Sequence, residues 1–130
     1  GAPIALKRPR HVMGGHTYDP NYKAKKLFLA TCSGKLPAEP WEGPIAMRLV
    51  FELARPKAHF GSGKNAGVLK ATVPKLPNRV PDIDNLIKFV MDALNEHLFK
   101  DDRQICEVYA KKVYRDKDGE GRTLLQVTRL

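Results

Sequence analysis

Residues 83–99 place Ile83, Leu86, Ile87, Val90, Leu94 and Leu98 three or four positions apart. That spacing lines one face of an α-helix with hydrocarbon. Asp84, Asn85, Lys88, Asp92, Asn95 and Glu96 fall on the opposite face. A helix this two-sided has to cover a sheet or another helix, and the chain offers a sheet. Ile45, Met47, Leu49, Phe51 and Leu53 alternate with residues that include Arg48 and Glu52, the pattern of a half-buried strand. Residues 105–114 and 123–130 read as two more strands, and the turn-rich run from Asp116 to Gly121 predicts that they form a hairpin. A short apolar stretch at 3–6 is a candidate first strand. Asp19-Pro20 predicts a helix start, and Gly34 and Pro37 close that helix. The expected fold is α+β, in the order β-α-β-α-β-β, within one domain spanning residues 1–130.

Charge divides this chain in two. Residues 1–81 hold 14 Lys and Arg against 4 Asp and Glu, and residues 82–130 hold 9 against 10. The net charge of +9 speaks about partners rather than fold. A basic stretch begins at Lys7, Arg8 and Arg10. The long Gly-, Pro- and Lys-rich segment 57–81 has no acid and carries Lys64, Lys70, Lys75 and Arg79. Long connections of this kind are commonly functional or disordered. Clustered cations away from the acids predict contact with a polyanion, nucleic acid first. Cys32 and Cys106 lack metal-ligand spacing and fit a reduced, intracellular protein. No apolar run is long enough to span a membrane, and no secretory leader is expected.

The acids gather at the ends of the periodic helix. Asp82 and Asp84 stand at its start, where the helix dipole favours negative charge. Lys88 follows Asp84 by four residues, within reach of the same patch. Asp101 and Asp102 lie just past the helix, and Asp102 closes the cluster if the next strand lies beside the helix start. Converging carboxylates repel unless a proton or cation sits among them. Hard oxygen ligands without His or Cys select Mg²⁺ or Mn²⁺. Such a site activates water against a phosphodiester, with Lys88 offsetting developing charge. A plainer reading stands beside it: an N-cap, a surface pair and a solvated turn. Gly61-Ser62-Gly63-Lys64-Asn65 fails the pattern of a phosphate loop and reads as a flexible basic loop. Trp41 and Phe60 could stack on bases, although lone aromatics more often pack.

The run Asp82-Ile83-Asp84-Asn85-Leu86-Ile87-Lys88, then Asp92-Ala93-Leu94 and Asp101-Asp102-Arg103-Gln104-Ile105, resembles the RusA family of Holliday junction resolvases. Tyr109-Ala110-Lys111-Lys112 and the N-terminal Lys7-Arg8-Pro9-Arg10 and Thr17-Tyr18-Asp19-Pro20 extend the likeness. The resemblance implies a mixed sheet and an intertwined homodimer. It implies a Mg²⁺- or Mn²⁺-dependent crossover junction endodeoxyribonuclease of DNA recombination and repair, which cuts four-way junctions by paired nicks. It further implies that Asp82, Asp84 and Asp102 bind metal and that Lys88 is catalytic. The expected setting is the cytoplasm or nucleoid of a bacterial or phage system. The rival readings are a broader nuclease of branched or flap DNA, and a DNA-binding protein without cleavage activity.

Overall fold

The computed structural model describes residues 3–4, 10–11, 17–115 and 119–130. A short antiparallel pair, β1 (Arg10–His11) and β2 (Thr17–Tyr18), precedes α1 (Tyr22–Cys32). Then come β3 (Ile45–Leu53), α2 (Ile83–Leu94), β4 (Ile105–Tyr114) and β5 (Arg122–Arg129). The last three strands form one mixed sheet in the order β4-β3-β5. β3 runs parallel to β4, with Ile45 beside Ile105 and Leu53 beside Tyr114. It runs antiparallel to β5, with Ile45 opposite Arg129.

β3 occupies the centre because its inward face is the most apolar. Ile45, Met47, Leu49 and Phe51 are at most 2% exposed and pack against Leu86, Phe89, Val90 and Leu94 of α2. This corrects the expected hairpin: β4 and β5 each pair with β3 and not with each other. A hairpin joins neighbouring strands, most often through two to five residues. The longer connection here crosses to the far side of β3, about 10 Å across two strand spacings. The anticipated strand at 3–6 is corrected in its described part. Pro3 and Ile4 form no strand, and Ile4 packs against the core. Lys7 and Arg8 lie outside the described residues.

The Asp19-Pro20 start holds with a shift of two residues. Asp19 Oδ1 accepts from the backbone and side-chain nitrogens of Asn21, both at 2.9 Å, and Asn21 takes the N-cap position. α1 has no fully buried residue. It leans on α2 through Phe28, set edge-on to Phe89 at 5.9 Å, and through Lys25, which pairs with Asp19 at 2.7 Å and with Asp92.

α2 begins as anticipated and ends five residues early. Asn95 leaves the helical conformation and Glu96 adopts a φ of 69°. That left-handed step turns the chain back, and Glu96 N–H donates to the Phe99 carbonyl at 2.7 Å. Leu98 and Phe99 still reach the core, now from a return turn tied to Trp41, whose N–H donates to the Leu98 carbonyl at 2.8 Å. Ile83, expected inside, is exposed, and Phe89 and Ala93 take buried places. No helix among the described residues is long and apolar enough to cross a membrane.

Candidate nuclease site and basic loop

Asp82 occupies the N-cap of α2 in an extended conformation, and its carbonyl accepts from Leu86 N–H at 3.2 Å. Its side chain makes no capping bond. The carboxylate is exposed and is not consumed by the helix it precedes. Asp84 lies in the first turn, and Lys88 Nζ stands 3.8 Å from its Oδ2. Both side chains are more than half exposed, at 65% and 61%, so solvent screens the pair and it adds little to stability. Asp82, Asp84 and Lys88 therefore project from one exposed helix end whose apolar side is anchored by Leu86.

The two acids after α2 are not equivalent. Asp101 caps a short turn, Asp102–Gln104, accepting from Arg103 N–H at 3.0 Å. Its own N–H donates to Gln104 Oε1 at 2.9 Å, and Gln104 Nε2 donates to the carbonyls of Trp41 and Gly43. The Arg103 N–H holds the Asp101 carboxyl below the usual range, with help from the Arg103 guanidinium. Asp101 is thus occupied in structure, whereas Asp102 is exposed at the start of the turn.

Lys88 stands beside Asp84, and Asp82 precedes them at the N-cap, whereas Asp102 follows the far end of α2. The 12 residues of α2 cover about 18 Å. Lys112, late in β4, donates from Nζ to the Pro81 carbonyl at 2.9 Å and so marks the helix start. Ile105, which begins β4 just after Asp102, lies about 23 Å of strand away from Lys112. The strand therefore does not begin beside the helix start. Oxygen ligands of one Mg²⁺ each sit about 2.1 Å from it, far closer together than the two ends of α2. Among the described residues, no group of three or more His, Cys, Asp or Glu stands ready to hold a metal ion. The donors at Asp82 and Asp84 have the chemistry for Mg²⁺ or Mn²⁺, and among the described residues no further His, Cys, Asp or Glu joins them in a ready group.

The basic segment has more local order than its composition predicts. Phe60 and Leu69 pair across a tight turn, with Gly61 N–H donating to the Val68 carbonyl at 2.9 Å. A Cβ on Gly61 would stand 2.6 Å from that of Asn65, so glycine is required there. This turn, rather than a phosphate cradle, explains Gly61-Ser62-Gly63. Arg55 holds the segment from the sheet: it donates to the Pro74 carbonyl at 2.9 Å and lies 4.5 Å over the Tyr114 ring. Lys64, Lys70, Lys75 and Arg79 are all exposed. None of them is ion-paired among the described residues.

Arg10 lies in β1. Trp41 packs against the core beneath Arg129, at 4.4 Å, which is the packing role expected of a lone aromatic. Cys32 and Cys106 are both free thiols. Lys112 was not singled out from the sequence. Its signal there was a lysine in a position where alternation along β4 calls for an apolar residue.

Comparison with known proteins adds the following. The family described as endodeoxyribonuclease RusA matches residues 1–127. The uncharacterized protein YqaN of Bacillus subtilis (strain 168) is 32% identical over 122 residues, covering 90% of this chain and 85% of that protein. No solved structure gives a significant match.

Proposed function

The chain belongs to the RusA family of endodeoxyribonucleases, and on that premise we propose that it is a divalent-metal-dependent nuclease that resolves four-way DNA junctions. The observation that carries the reading is the exposed start of α2. Asp82, free of capping duty, stands there with Asp84 and Lys88, directly after a segment whose cations have no ion pair among the described residues. The cations of the loop, Lys64, Lys70, Lys75 and Arg79, with Lys7, Arg8 and Arg10, bind the phosphates of the junction arms. Asp82 and Asp84 supply two oxygen donors to Mg²⁺, for which Mn²⁺ substitutes.

The third donor is Asp102 of the partner subunit. Asp102 follows the far end of α2 in its own chain, and in an isologous two-fold interface an α2 start seated on the partner's Asp102 makes the reciprocal contact too, giving two equal sites. Surfaces for a second copy exist. Tyr22 and Leu27 of α1 are 63% and 71% exposed, beside an apolar groove lined by Phe28, Leu36, Leu125 and Val127. A homodimer also presents two sites to a junction of matching symmetry, so paired nicks fall on opposing strands. When bound, the cation would polarise the scissile phosphate and lower the pKa of a water, so that it loses a proton to solvent and attacks as hydroxide, displacing the leaving strand's oxygen. Lys88 sets its ammonium against the charge that grows on the phosphate oxygens.

The direct test is cleavage of a synthetic four-way junction with Mg²⁺ and with EDTA. We expect Mg²⁺-dependent nicking that Asp82→Asn abolishes while junction binding survives. Equal cutting of linear duplex would favour a general nuclease, and binding without any cutting would favour a DNA-binding protein.

A further inference from the structure

Side chains alternate between the two faces of a strand. In β4, Ala110 and Lys112 lie beside Leu49 and Phe51, buried positions of β3, and Ala110 packs against the core, so Lys112 shares that side. A lysine there breaks the apolar pattern, and its neighbour Phe51 has no exposed surface. Local rules of this kind are broken chiefly at functional or strained positions. Lys112 is half-buried, and long cationic side chains of this kind keep their methylenes on apolar surface while the charge reaches a polar partner. Nζ ends between two backbone carbonyls, that of Arg79 at 2.8 Å and that of Pro81 at 2.9 Å. No carboxylate pairs with it among the described residues.

Both acceptors belong to the last residues before Asp82. Among the described residues, no backbone group from 74 to 81 bonds to another backbone group. The Asp82 side chain makes no capping bond that would fix it from the helix side. The Lys112 ammonium therefore supplies the hydrogen bonds that tie the peptide carrying Asp82 to the sheet. The same group grips Arg79, at the end of the basic loop. A reacting constellation has to be held to within about 0.5 Å, and an error of about 1 Å costs on the order of 10²-fold in rate.

We propose that Lys112 is the positioning residue for the Asp82 carboxylate, anchoring it to β4 and keeping the basic loop in register with it. This rests on the assignment of Asp82 made above. Lys112 itself touches neither DNA nor metal.

The test compares Lys112→Met, Lys112→Arg and the wild type on a four-way junction. Under single turnover with saturating protein and Mg²⁺, Lys112→Met should cut about 10- to 100-fold more slowly. Its junction affinity and its salt dependence of binding should match the wild type. Lys112→Arg, which still donates to two carbonyls, should recover most of the rate. A second readout needs no DNA: tryptic cleavage at the Arg79–Val80 bond, measured against the Lys64–Asn65 bond of the same chain. Release of the anchor should raise it about tenfold in Lys112→Met and leave Lys112→Arg unchanged. If Lys112→Met does not fold, Lys112→Gln carries the same comparison. Wild-type cleavage rates in Lys112→Met, unaltered proteolysis at Arg79, or a flattened salt slope that makes Lys112 a phosphate contact would each overturn the proposal. A wild-type chain that cuts no branched DNA overturns the functional reading instead, and the tryptic comparison still decides whether the anchor exists.

Discussion

Changing Lys64, Lys70 and Lys75 together to alanine should weaken the salt dependence of junction binding by a calculable amount. All three are exposed and without ion-pair partners among the described residues. The segment that carries them is held by the Phe60–Leu69 pairing, by Arg55 on the Pro74 carbonyl and by Lys112 on the Arg79 carbonyl. The cations are thus presented from an anchored platform. Each phosphate contact contributes about −0.9 to the slope of log K against log salt, so three lost contacts flatten it by about 2.7. With about six contacts, the wild type should lose on the order of 10³-fold in affinity between 50 and 200 mM salt, and the triple variant about 40-fold. Fluorescence anisotropy with a labelled four-way junction in EDTA measures both without cleavage. A slope unaltered by the triple change would show that this segment does not touch DNA, and would remove the basic loop from the account.

Lys88→Ala should slow single-turnover cleavage by about 10²–10³-fold, the usual effect of losing one charge-stabilising donor, with little loss of affinity. A collapse of binding at an unchanged rate would make Lys88 a docking residue. Lys25→Met should cost about 1–2 kcal/mol at pH 7, because it strips a largely buried ammonium from Asp19 and Asp92; thermal unfolding reads the loss. The Lys25 ammonium holds the Asp19 carboxyl below its ordinary range, so that stabilisation is present above about pH 4 and fades as acid protonates Asp19. Lys25 is itself raised: burial opposes the charge, but its bonds to Asp19 and Asp92 outweigh it. Its share therefore persists until pH rises well above 10. The deficit of Lys25→Met should shrink in acid below pH 4 and stay constant through neutrality.

Where one-dimensional patterning governs, the sequence was legible. The bounds of β3, Ile45–Leu53, follow from alternation, and β4, Ile105–Tyr114, was read as a strand closed by the turn signal at Asp116. The start of α2 follows from Pro81 and Asp82, since proline restricts the residue before it. What patterning cannot carry is which strand sits beside which. β4 and β5 have the look of a hairpin, and only the burial of β3 on its inward face explains why it lies between them. The end of α2 was misplaced because Leu98 and Phe99 are buried all the same, through a turn set by Glu96. Hydrophobic spacing registers the burial and misses the turn. The Asp84–Lys88 pair was legible because helix geometry alone brings i and i+4 together. The position of Asp102 depends on the direction of β4 against α2, a tertiary fact. Lys112 was read only as part of the family-like run, without a role of its own, because its partners are backbone carbonyls, which leave no trace in residue type.

The central claim is a junction nuclease whose site closes across two subunits, and subunit mixing tests it most directly. Asp82→Asn and Asp102→Asn homodimers should each be inactive. After the two are mixed in equal amounts and allowed to exchange, half the dimers are mixed, and each of these has one intact site and one doubly altered site. Total nicking of a cruciform plasmid with Mg²⁺ should return to about a quarter of wild type. The product should be open circles, because one site cuts one strand. If each site were built within one chain, every site in the mixture would still lack one carboxylate. No nicking by exchanged mixed dimers, or cleavage by either homodimer alone, would contradict the account.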